Sequence, residues 1–148
     1  MKRVIEYRKL LEVDKDVTLK ALKTIYRNAM KEAHPDKFVD DEPGRLAAEE
    51  RSKKVIEAYH FLVSINNETH EKLQAEYDET FNNYIIKDFY LEKQTLTVIH
   101  LDGTTFEYLG VPKNVFGKMC NADSASRFAK RHLYGKYLFR KAAKATAE

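Results

Sequence analysis

The apolar residues of this 148-residue chain keep a helical period from Val4 to about Asn83, and near residue 95 they switch to alternation. That change of period constrains the fold more than any other feature, because a helical stripe and a pleated face present their side chains to a core in incompatible ways. It predicts an α+β protein: an all-α first part built on a helical hairpin with flanking helices, then a small α+β unit. A boundary falls between residues 83 and 94, giving domains 1–83 and 84–148, with no Gly/Ser linker to mark it.

In the first part a short helix fits Val4 to Glu12, and Asp16 can cap the next. In that second helix Leu19, Leu22, Tyr26, Ala29 and Ala33 form an apolar stripe beside a basic one of Lys20, Lys23, Arg27 and Lys31. It must stop before Pro35, which lacks a helical N–H and pushes His34 out of the helical region. Ala48, Ser52, Val55, Ile56, Tyr59, Leu62 and Val63 mark a third helix, antiparallel to the second, and Leu73, Tyr77 and Phe81 a fourth.

In the second part "TLTVIHLDGTTFEYLG" alternates around Asp102-Gly103, a strong hairpin signal. A two-residue loop would set Ile99 opposite Phe106; a three-residue loop with a left-handed Gly103 would set Val98 there. The sequence leaves both open. Pro112 can begin a helix reaching about Asn121, and Ser124 can cap another running into the basic tail.

Chemistry is sparse. The five histidines make no pair at metal-ligand spacing, the lone Cys120 has no partner, and no Gly-rich phosphate loop exists. The expectation is a protein with no catalytic residue, no metal and no cofactor. No apolar run approaches 18 residues and no export pattern follows Met1-Lys2-Arg3, so the reading is cytoplasmic, without membrane contact. The net charge of +3 hides an asymmetry. From Lys113 onward nine basic residues face Asp123 and Glu148, giving +7 and leaving −4 for the rest. Such a segment suits a nucleic-acid surface or a solvated helix face.

Three stretches then come into register: "YRKLLEV", "ALKTIYRNAMKEAHPDK" and "VIEAYHFL". Residues 4 to 77 resemble a J-domain, the module of DnaJ-type co-chaperones. That resemblance implies docking on a 70-kDa heat-shock chaperone of the DnaK type and stimulation of its ATP hydrolysis. The implied contacts are His34, Pro35 and Asp36, supported by the basic Lys23, Arg27 and Lys31. Asp36 offers a carboxylate to an arginine, and the helix steers encounter with an acidic surface. The departures are Asn28 and Glu32 where basic residues are common, Ala33 where an aromatic is usual, and Glu12 in place of a frequent glycine.

Residues 95 to 137 look like the KTSC domain found at the C terminus of some lysyl-tRNA synthetases. The likeness rests on "LTVIHLDGTTFEYLGVP", Val115, Ala122, Ser124 and Phe128, with Phe106-Glu107-Tyr108 where that family carries Tyr-x-Tyr and Ser126 for a usual glycine. This part would select the target, a client protein or single-stranded RNA. Lys130, Tyr134, Tyr137, Lys141 and Lys144, at spacings of three and four, would line one basic aromatic helix face for RNA. The alternative to a co-chaperone is therefore an RNA-binding adaptor in which the J-like helices serve as scaffold.

Overall fold

A computed structural model describes residues 2–142. It divides into two compact units, one spanning Lys2–Thr69 and one beginning at His70. The elements run α1 (Lys2–Leu11), α2 (Leu19–Glu32), a 3-10 turn (Pro35–Phe38), α3 (Glu42–Ile65), α4 (Asn67–Asn83), β1 (Ile86–Glu92), β2 (Thr95–His100), β3 (Thr105–Leu109), α5 (Lys113–Cys120), α6 (Ala125–His132) and β4 (Phe139–Ala142). This is the α+β architecture that the two periods predict.

In the first unit α2 and α3 form the expected antiparallel hairpin. The Asn66 side chain beyond the end of α3 donates to the Val17 carbonyl ahead of α2, 2.8 Å away. Thr18, not Asp16, caps α2: its hydroxyl oxygen accepts the Ala21 N–H at 3.1 Å, while Asp16 lies two residues too early to reach it. The core takes Val4 and Leu11 from α1, Leu22 from α2, and Val55, Ala58, Phe61, Leu62 and Ile65 from α3. The buried stripe of α3 is thus rotated toward Ala58 and Phe61, and Ile56 faces outward. Tyr7 meets Phe61 edge-on at 5.2 Å, and the Arg3 guanidinium sits 4.4 Å above the same ring. Glu12 closes α1 with φ 56°, and Val13 N–H returns to the Arg8 carbonyl at 3.0 Å. Because a left-handed residue ends this helix, glycine suits the position.

The second unit is an antiparallel sheet in the order β1-β2-β3-β4. Val98 pairs with Phe106 and Ile99 with Thr105. His100 and Thr104 therefore bracket a three-residue loop, in which Gly103 adopts φ 90° and Thr104 N–H bonds to the Asp102 carboxylate at 3.0 Å. The core gathers Leu96, Val98, Phe106, Tyr108, Val111, Met119, Ala129 and Leu133. Tyr77 and Phe81 of α4 join it with Leu73 beside them, so the apolar stripe of α4 belongs to this sheet and not to the helices before it. Tyr77 lies edge-on to Phe106 at 4.9 Å, and its hydroxyl meets that of Tyr108 at 2.6 Å. His100 is fully buried; its Nδ1–H donates to the Tyr84 carbonyl at 3.0 Å, and burial lowers its pKa, keeping the ring neutral.

Two strands escape the sequence pattern. In β1 a register shift between Ile86 and Asp88 interrupts the alternation that Ile86, Phe89 and Leu91 would otherwise show. β4 hides in a stretch whose aromatic and basic residues recur at helical spacing. The helix expected there stops at His132, and Gly135, at φ 72°, turns the chain back to lay Phe139 beside Tyr108.

Candidate functional site

Helix α2 presents Lys20, Lys23, Arg27 and Lys31 to solvent, and among the described residues none of the four has an ion-pair partner. The opposite face anchors the helix: Leu22 is fully buried and Tyr26 stacks on Tyr59 with ring centroids 4.2 Å apart. At about 1.5 Å per residue, Lys23, Arg27 and Lys31 form a rail about 12 Å long that leads toward the end of the helix. Asn28 and Glu32 are also exposed, so these departures alter surface charge and not packing. Ala33 is buried, 6% exposed, in the place of the usual aromatic.

Past Ala33 the backbone leaves the helix. His34 is extended, at φ −65° and ψ 133°, and Pro35 opens the 3-10 turn. The His34 ring faces back on this turn: Nδ1 accepts the Asp36 N–H at 3.2 Å. That bond requires a neutral ring with its proton on Nε2. A protonated ring would instead pair with the Asp36 carboxylate, whose Oδ2 lies 3.4 Å from Nδ1. The Asp36 side chain is 90% exposed and caps no helix.

The acidic loop that follows does cap one. Asp41 Oδ1 accepts the Gly44 N–H at 3.0 Å, starting α3. A Cβ on Gly44 would fall 2.2 Å from Asp41 Oδ2, so a side chain there would have to displace the Asp41 carboxylate from this cap. Asp40, at φ 66°, makes the bend between turn and cap. The loop thus fixes where the tripeptide sits, and His34, Pro35 and Asp36 lie between two helix ends with defined exits.

The expected basic aromatic face of the second unit does not assemble. Lys130 is exposed on α6, but Tyr134 lies beyond its end, stacked on Tyr77 at 5.1 Å. The Tyr134 hydroxyl donates to Asp78 at 2.5 Å and accepts from Gln74 at 2.7 Å; the bond to Asp78 raises its pKa. Tyr137 packs partly buried against the core, Lys141 sits on β4 paired with Glu76, and Lys144 lies outside the described residues. A helical period linked residues that belong to a helix, a turn and a strand.

The structure instead gathers a cluster whose two arginines sequence reading counted only as charge. Arg127, Phe128, Arg131 and His132 line a cleft beside the loop at Asp123 and Ser124. Two arginines one turn apart behind a capping serine were the available signal. Among the described residues no group of three or more His, Cys, Asp or Glu could hold a metal ion, and no helix is long and apolar enough to cross a membrane.

Comparison with known proteins finds two families, in this order along the chain. Residues 6–78 match the DnaJ domain family, and residues 82–137 match the KTSC domain family. Over 73 residues, 49% of this chain, it is 37% identical to a chaperone protein DnaJ of Hydrogenobacter thermophilus. Over 74 residues it is 38% identical to an uncharacterized J domain-containing protein of Schizosaccharomyces pombe. In both cases the match spans 17% of the relative's length.

Proposed function

On a chain that carries a DnaJ domain followed by a KTSC domain, we propose a non-enzymatic co-chaperone. It docks on a 70-kDa heat-shock chaperone of the DnaK type through His34, Pro35 and Asp36, and stimulates ATP hydrolysis in that partner. The observation that carries this reading is the Asp36 carboxylate, exposed and committed to no helix cap, at the end of the exposed basic rail. A carboxylate so placed is available for a bidentate arginine on the partner. Lys23, Arg27 and Lys31 steer the approach. The KTSC domain selects the target. A single cysteine and a DnaK-type partner together suit a reducing cytoplasm.

The adaptor reading, with RNA on Lys130, Tyr134, Tyr137 and Lys141, is the weaker one. Tyr134 and Lys141 are held by Asp78 and Glu76, and freeing them would give up those contacts.

Asp36→Asn removes the charge and keeps the shape. In a steady-state ATPase assay with a DnaK-type chaperone the variant is expected to lose stimulation almost entirely, while its helicity and Tm stay at wild-type values. A variant that stimulates as well as wild type, in an assay where wild type does stimulate, sinks the docking role.

A further inference from the structure

The cleft between the α5–α6 loop and helix α6 has a volume of about 230 Å³ and opens to solvent along one side of the helix. Its chemistry is mixed in a specific way. Arg127 and Arg131 stand one helical turn apart, both exposed, and neither has an ion-pair partner among the described residues. Their guanidiniums can converge on one anion as two planar forks, an arrangement suited to the oxygens of a phosphate. Next to them the rings of Phe128 and His132 lie 4.6 Å apart, tilted by 40°. Phe128 packs against the core, which holds this ring in place before any ligand arrives. Ser124 is fixed as well, its oxygen accepting the Arg127 N–H at 3.3 Å while its own O–H stays available. Asp123 is the one carboxylate among the lining residues, and the two arginines outweigh it.

We propose that this cleft binds one nucleotide unit of a single-stranded nucleic acid. Arg127 and Arg131 hold the phosphate, and an unpaired base lies against Phe128 and His132. Three features select this ligand. An acidic peptide would satisfy the arginines but would make no use of the aromatic wall, whereas every base has a face to stack on it. The volume is below that of the usual enclosed small-molecule site, about 300–1,000 Å³, so the cleft takes one piece of a longer ligand. Lys130, exposed on the same helix, extends the attraction past the cleft along a polyanion. A duplex is excluded because its bases are already stacked on one another. The site shares no residue with the docking surface of the first unit and does not depend on it.

The test uses the full-length protein and a labelled 12-nucleotide oligouridylate, titrated by fluorescence anisotropy at about 50 to 200 mM salt. Arg127→Gln with Arg131→Gln should weaken binding at least tenfold at the low-salt end, and reduce the log–log salt slope by about 0.7, the value for one single-strand phosphate contact. Phe128→Leu keeps an apolar side chain in the core and should cost about fivefold, the low end of base stacking on an aromatic. Lys113→Gln with Lys118→Gln, which removes the same charge from α5, should stay within twofold of wild type, and so should Asp36→Asn. No binding at 50 mM salt, an arginine double variant that binds like wild type, or an equal loss in the α5 control overturns the proposal. Displacement by polyglutamate as effective as by unlabelled oligouridylate overturns it too, as does uridine monophosphate binding as tightly as the oligomer.

Discussion

The hydroxyls of Tyr77 and Tyr108 meet at 2.6 Å in a place closed to water, and burial raises both phenol pKa values so that both rings stay protonated. One O–H donates and the other oxygen accepts; neither has water to turn to. Tyr77→Phe or Tyr108→Phe alone should therefore cost about 1–3 kcal/mol, because the surviving hydroxyl is left buried without a partner. The double Phe variant should cost clearly less than the sum of the two, and urea unfolding of all four proteins closes the cycle. Tyr108 was legible beforehand as the second tyrosine of the Tyr-x-Tyr position. Its partner was not, since nothing in the sequence ties it to a residue 31 positions earlier. The tripeptide was the reverse case: local backbone chemistry at Pro35 announced the break that the 3-10 turn makes, and the family resemblance named the residues proposed to dock. Glu12 was legible only as a departure from habit, and its φ of 56° supplies the reason for the habit.

Helix α4 shows how far a period can be read. Leu73, Tyr77 and Phe81 at spacings of four identify a helix and its buried face, but they carry no information about which core receives it. They enter the core with Phe106 and Tyr108. A fragment of residues 84–148 should consequently lose cooperative unfolding and near-UV dichroism. Truncating even one such buried aromatic costs about 3–5 kcal/mol, comparable to the whole stability of a small domain. A fragment of residues 67–148 should keep both. Comparable cooperativity in the two fragments would show that the sheet and its two helices hold themselves together. The same limit explains the missed strands. A bulge broke the period of β1, and β4 borrowed a helical period from Tyr134, Tyr137 and Lys141, with Gly135 the one contrary signal. The hairpin register needed the structure, because Asp-Gly serves either loop length and only the backbone at Gly103 chooses between them.

Across the molecule the electrostatics divide the labour: the residues before Lys113 carry −4 and those from it onward +7. The basic rail on α2 is thus a local exception within a net negative region, and its field should matter mainly over short range. Lys23→Ala with Arg27→Ala should lower the association rate constant with a DnaK-type chaperone about tenfold at low salt, with a much smaller change in dissociation. Raising salt from about 50 to 200 mM should slow wild type toward the variant as the screening length shortens. Stopped-flow association measured for both proteins checks this, and rates indifferent to mutation and salt would mark the rail as solvated surface. Helix α4 also bears on how such a chain could have arisen. The DnaJ match runs to residue 78, yet the compact unit that contains the tripeptide ends at Thr69. A gene fusion joined at the edge of the DnaJ match would deliver Tyr77 without Phe81 to its new neighbour, while a crossover near Asn66 would pass on the helix whole.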